Sequence, residues 1–365
     1  MQFLTDMLTG VLSLYLAFTN ILADEIQTFL PQEEGAIRTV SIDTSSDASG
    51  METLAELESN FETGDTLPDI LIENASYQGA TAIANDFTTE ATTDPLEAVV
   101  NIYCVYETKD YTRRQSGSGF FVSPEGVILT NAHVAQFLLL ENVEEAGETS
   151  CIVRGGNPPE PLYEAELLYI SPAWIQEHAH LINDPNPKGT GERDYALLYV
   201  TRGLNNNPLP GTFPYLSVDT ALLPKSQIGE TVTIAGFPGG DLFSENESGP
   251  VPQKASAKIT DMFTFGSNYA DIFSIGSSSV GMHGISGGPV LNDSGEVIGL
   301  VSTKGSTEEG TYTLRALTLS YIDRTMLADS TFDLASTATG ALELRARLFM
   351  ETIVPFLARI VESEL

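Results

Sequence analysis

The chain has 365 residues and a formal net charge of −33 at pH 7, from 50 acidic and 17 basic side chains. So large an acid surplus leaves no basic patch for a phosphate backbone, which excludes nucleic acid as a partner. The length is ample for a sizeable hydrophobic core, and two cysteines are too few for a disulfide-dense scaffold or a zinc finger.

At the start, residues 7–23 are uncharged and largely apolar, with Leu8, Val11, Leu12, Leu14, Leu16, Phe18, Ile21 and Leu22. The stretch is long enough for the apolar part of an export signal and marginal for a membrane span. Asp6 precedes it and no Lys or Arg occurs before Arg38, so the usual positive flank is missing. Residues 1–30 therefore stand as an apolar N-terminal segment with three readings: signal, membrane attachment through residues 7–23, or a helix packed in a partner. An export signal or anchor is the expectation carried forward. Up to residue 97 the chain holds 18 acidic side chains against the single Arg38. Residues 31–97 are read as an acidic, largely disordered spacer, with one short helix near Met51–Leu57.

From residue 98 the pattern turns strand-like. β-Branched and aromatic runs such as Val99 to Tyr106, Thr231 to Ala235 and Val297 to Val301 are bounded by Gly, Pro, Asn and Asp. Pro124-Glu125-Gly126 and Asn292-Asp293-Ser294-Gly295 read as hairpin turns. Thr130-Asn131-Ala132-His133-Val134 follows a Gly-Ser-Gly run at 117–119. His178-Ala179-His180 stands among Pro and Asn, and without a nearby Cys or carboxylate pattern it reads as a surface loop; no metal site is expected. Next comes Asp194-Tyr195-Ala196-Leu197, then Gly284-Ile285-Ser286-Gly287-Gly288-Pro289. From Ala341 to Leu365, apolar residues recur at helical steps and predict an amphipathic helix kinked at Pro355. Packing on its own domain is the default for it.

His, Asp and Ser in that order carry one chemistry. A serine hydroxyl needs an imidazole to take its proton, and the imidazole needs a carboxylate to hold one tautomer. Ser286 would be the nucleophile, His133 its base and Asp194 the orienting group. A turn at Ser286 would aim the N–H groups of Gly284 and Ser286 at the developing oxyanion. The chain order differs from the Asp, His, Ser of subtilisin-like enzymes and the Ser, Asp, His of α/β-hydrolases.

These words, with Gly229 to Pro238 and Gly295 to Ser302 beside them, resemble the trypsin-like peptidases, and within them the bacterial HtrA-type branch. The resemblance spans about residues 98–325 and implies an all-β, chymotrypsin-like fold of two six-stranded antiparallel β-barrels in a peptidase domain at 98–330, followed by a C-terminal helix at 331–365. Some 40 residues follow the resemblance, too few for the PDZ domain that branch usually carries. It further implies a serine endopeptidase that uses an acyl-enzyme, acts on proteins or peptides, needs no cofactor and works outside the cytoplasm. Ile285 stands where zymogen-type members carry an acid, so no new N-terminus is expected to switch it on. Val280 would form the base of the primary pocket, with Ser302, Thr303 and Lys304 on the facing wall and His283 near the oxyanion turn. A base without a carboxylate disfavours cleavage after Arg or Lys. Small or medium apolar side chains are expected at the cleaved position, or acidic ones if Lys304 turns inward. Cys104 and Cys151 both fall in the first barrel, as two buried thiols or one disulfide, the latter expected in an oxidising compartment. From a different class, a catalytically silent binding or scaffold protein on the same fold remains the alternative, because fold does not guarantee function.

Overall fold

Side-chain alternation builds the first sheet. Along Val99–Glu107 (β1), Val100, Ile102, Cys104 and Tyr106 turn to one buried cluster, while Val99 joins another. The computed structural model describes residues 89–365 apart from 108–111, 142, 144–146, 185–188, 240–249, 277, 279–283 and 307–311, with backbone alone at 303–306 and 312. The readings of residues 1–30 and 31–88, including the helix near Met51–Leu57, and the pocket positions Val280 and His283 lie outside the described residues.

β1 closes with Thr112–Phe121 (β2), Val127–Thr130 (β3), Glu148–Gly155 (β4), Glu160–Ile170 (β5) and Ala196–Gly203 (β6) into an antiparallel barrel of order β1-β2-β3-β6-β5-β4. Thr231–Gly236 (β7), Gln253–Phe263 (β8), Ile272–Ile275 (β9), Pro289–Leu291 (β10), Val297–Ser306 (β11) and Tyr312–Thr318 (β12) close the second, in the order β10-β11-β12-β9-β8-β7. The chain is thus two closed six-stranded antiparallel barrels, and closure leaves neither sheet with an open edge. Both barrels belong to one unit of the chain. The predicted turns at 124–126 and 292–295 connect β2 to β3 and β10 to β11.

Three apolar clusters fill the structure. One lies in the first barrel, one in the second around Val232, Ile234, Phe273, Leu314 and Ala316, and one along the seam with Phe120, Tyr195, Phe237 and Leu300. Short helices precede β1, at Pro95–Ala98 (α1), and follow β3 and β5, at Ala132–Ala135 (α2) and Pro172–His178 (α3). Asp94 caps α1 and its carboxylate pairs with Lys254 Nζ at 2.9 Å; the Thr92 N–H donates to the Tyr215 carbonyl. Residues 89–98 are therefore held against the barrels.

After β12 come Leu319–Ser330 (α4), Leu334–Thr337 (α5), Leu342–Thr352 (α6) and Val354–Glu362 (α7). The single kinked helix expected over 341–365 is instead two helices broken at Ile353, because Pro355 lacks the N–H that would continue the ladder and starts a new first turn instead. Val354, Leu357, Ala358 and Val361 join the first-barrel cluster beside Phe137 to Leu140, so the C-terminus packs on its own domain. Among the described residues no helix is long and apolar enough to cross a membrane.

Cys104 and Cys151 face each other across β1 and β4 and form a disulfide. It closes a loop with a sequence separation of 47. Its reduction is expected to lower unfolding free energy by about 2–4 kcal/mol. Urea titrations of oxidised and reduced protein measure this, and superimposable curves would contradict it.

Candidate active site

Three loops from different strands meet at the seam. β3 ends at Thr130, and the next residues turn into α2, whose second position is His133. Asp194 lies two residues before β6, and Ser286 three before β10. The His133 backbone N–H donates to Asp194 Oδ1 at 2.9 Å, and its Nδ1 lies 2.8 Å from Asp194 Oδ2. The Ser302 hydroxyl donates to the same Oδ2 at 2.7 Å, and Asn131 Nδ2 donates to the Asp194 carbonyl at 2.8 Å.

Asp194 is 3% exposed. Burial alone would raise its carboxyl, but the facing imidazole and the bonds from His133 and Ser302 outweigh it and hold the group below its ordinary 3.8. Burial likewise disfavours the His133 cation, yet the Asp194 charge and bond outweigh it and raise the imidazole above 6.5. Asp194 thus contributes stability that is present above its ordinary value and is lost as pH falls through its lowered one. The raised His133 contributes stability below 6.5 that is lost as pH rises through its folded value. The imidazole is not sealed in: its side chain is 27% exposed, so Nε2 can face a substrate.

The Ser286 turn is fixed by Ser118, in the middle of the Gly-Ser-Gly run. The Ser118 N–H donates to the Ser286 carbonyl at 2.7 Å, and its hydroxyl donates to the Gly284 carbonyl at 2.7 Å while accepting the Phe237 N–H at 2.9 Å. Gly284 and Gly287 have φ of +92° and +86°, and a Cβ on Gly287 would sit 1.9 Å from the Ser118 carbonyl oxygen. Among the described residues, the Gly284 and Ser286 N–H groups have no acceptor, leaving two donors free at the turn. The Ser286 hydroxyl donates to the Ser302 carbonyl at 3.3 Å rather than to the imidazole. Catalytic hydrogen bonds are often formed only when substrate is present.

Of the expected pocket positions, Val280 and His283 lie outside the described residues, and Thr303 and Lys304 are placed on β11 by backbone alone. Ser302 is buried and its hydroxyl faces Asp194, a role that sequence reasoning missed along with those of Ser118 and Asn131. Only the docking of the two barrels brings β11 beside the loop before β6. The His178 region is also different from expectation. Ser171 caps α3 ahead of Pro172, and His178 is buried with its ring stacked on Trp174 at 5.1 Å, so this is a helix and not a surface loop. A serine followed by proline was the available signal.

The family described as "Trypsin-like peptidase domain" matches residues 117–300 of this chain. Among curated proteins, "Protease Do-like 2, chloroplastic" of Arabidopsis thaliana is 26% identical over 242 residues. That similarity covers 62% of this chain and 32% of the relative, so the chain spans about a third of the relative's length. Among solved structures, the active form of the Rv3671c protease from M. tuberculosis is 22% identical, covering 64% of this chain and 81% of that one with a TM-score of 0.39. Deg5 is 16% identical, covering 64% and 89% with a TM-score of 0.41.

Asp194→Asn should move the His133 titration midpoint below 6.5, because burial then acts without the opposing charge. Imidazole resonances followed by NMR from pH 4 to 9 test this, and an unchanged midpoint would mean the carboxylate does not set the base.

Proposed function

Because the chain belongs to the trypsin-like peptidase family, we propose that it is a serine endopeptidase, with Ser286, His133 and Asp194 as its catalytic triad. The observation that carries this reading is the 2.8 Å contact of His133 Nδ1 with a buried, ionised Asp194. That contact fixes the tautomer that leaves Nε2 as the base.

Ser286 Oγ attacks the scissile carbonyl while His133 Nε2 takes its proton. The imidazolium then protonates the leaving amine, giving an acyl-enzyme that water cleaves by the same proton route. The Gly284 and Ser286 amides hold the oxyanion in both steps. The reaction so written uses no cofactor. Proteins or peptides are the substrates, and the Cys104–Cys151 disulfide supports an oxidising setting outside the cytoplasm. Val280, by its place six residues before Ser286 in the sequence, supports cleavage after small or medium apolar side chains. A catalytically silent binding protein is the second reading, favoured by the Ser286 hydroxyl being bonded to Ser302 instead of His133.

A fluorophosphonate probe should label Ser286, and Ser286→Ala and His133→Ala should each lower kcat by roughly 10⁴-fold or more, with no further loss in the double variant. Near-normal hydrolysis by Ser286→Ala would sink the assignment, and absent labelling would favour the silent reading. The pH profile of kcat/KM should fall on the acid side with a midpoint above 6.5, since the base must be neutral and Asp194 raises its pKa. A midpoint below 6.5 would contradict that coupling.

A further inference from the structure

The backbone that presents Asp194 is unusual on both sides. Arg193 is a non-glycine residue at φ +56°, in the left-handed region that its side chain disfavours. Directly after it, the Tyr195 N–H donates back to the Arg193 carbonyl at 2.9 Å, so Asp194 occupies the middle of a three-residue turn. Such a conformation persists only where its surroundings over-determine it.

Those surroundings are one face of α4, which arrives from the second barrel. The Arg193 N–H donates to the Tyr321 hydroxyl at 3.2 Å, and the Arg193 guanidinium pairs with the Asp329 carboxylate. The Thr325 hydroxyl, 2.8 Å from the Tyr321 carbonyl, donates there, which leaves its oxygen to accept from the Tyr195 hydroxyl at 2.9 Å. Tyr321, Thr325 and Asp329 are one turn apart along α4, so a single rigid face grips residues 193 and 195 on either side of Asp194. Tyr321 is 4% exposed and its ring packs on Phe265 at 5.2 Å, which anchors the face in place. Nothing in the reaction as written uses these groups.

Resting on the serine-peptidase reading, we propose that Tyr321, Thr325 and Asp329 are positioning residues for Asp194. By holding the 193–195 turn they keep its carboxylate aimed at His133 Nδ1. They touch neither substrate nor the reacting atoms and act only through the carboxylate. Among the described residues Asp194 is also the one charged group that acts on the His133 imidazole. The His133 midpoint is therefore a direct gauge of how well Asp194 is aimed.

The test compares Tyr321→Phe, Thr325→Val and Thr325→Ser in the full chain. Tyr321→Phe keeps the ring against Phe265 and removes only the acceptor for the Arg193 N–H. Melting curves establish that each variant is folded. Tyr321→Phe and Thr325→Val should lower kcat by roughly 3- to 30-fold and leave KM within about twofold. They should also move the His133 NMR midpoint down towards 6.5, the His133 resonance being identified by its loss in His133→Gln. Thr325→Ser, which retains the hydroxyl, should restore the wild-type values. Should Tyr321→Phe not fold, the two Thr325 variants decide alone. Folded variants with a wild-type midpoint and kcat would overturn the proposal, as would a fall in melting temperature with an unmoved midpoint. Because the NMR midpoint needs no turnover, it also separates the two ideas. Absence of Ser286-dependent hydrolysis in the wild type defeats the peptidase reading, whereas a wild-type midpoint in Tyr321→Phe and Thr325→Val defeats the positioning role.

Discussion

A buried carboxylate is costly unless donors surround it, and the arrangement of this chain around Asp194 follows from that cost. Its two oxygens accept the His133 amide, the His133 ring and the Ser302 hydroxyl, and its main-chain oxygen accepts from Asn131. His133 and Asn131 come from the first barrel and Ser302 from the second. The ionised group therefore depends on the barrels being docked, since docking supplies the Ser302 donor that helps to offset its burial. A charge in such a site is also a strong electrostatic element, because little water is present to screen it.

Ser118 ties the barrels a second time. Its amide and hydroxyl reach the two carbonyls that flank Ile285, and its own carbonyl accepts from Thr130 Oγ1 at 2.7 Å, next to the residues that lead into α2. Ile285 itself is buried in the second-barrel cluster. The Ser286 turn is thereby held by an apolar plug from below and by hydrogen bonds from the opposite barrel, without a charge at that position.

The segments after β12 extend this logic. α4 packs along the loop before β6, and α7 covers the buried run Gln136 to Leu140 that follows His133. Elements carrying the candidate site are thus backed by helices from the far end of the chain, and a site supported by packed elements holds its geometry better than one on free loops.

Sequence by itself determined the local words. Alternation in Val99 to Tyr106 defined a strand, Pro124 to Gly126 and Asn292 to Gly295 defined turns, and His133, Asp194 and Ser286 stood out because those residue types beside glycine-rich turns serve one chemistry. The number of strands and their division into two barrels were legible from the resemblance those words carry. What the sequence left open were the relations between distant segments. Ser302 read as a pocket wall, and the bond of its hydroxyl to Asp194 exists only because the barrels dock. Ser118 read only as the middle of a Gly-Ser-Gly run, and its bonds to the Ser286 turn exist only across the docked barrels. Tyr321 and Thr325 carried no signal in the sequence, and they lie 128 and 130 positions from Arg193 and Tyr195. The helix at Pro172 to His178 and the break at Ile353 were decided by local proline chemistry that short patterns express weakly. Which donors surround a buried charge is set by close approach in three dimensions, and a one-dimensional pattern of hydrophobicity has no record of it.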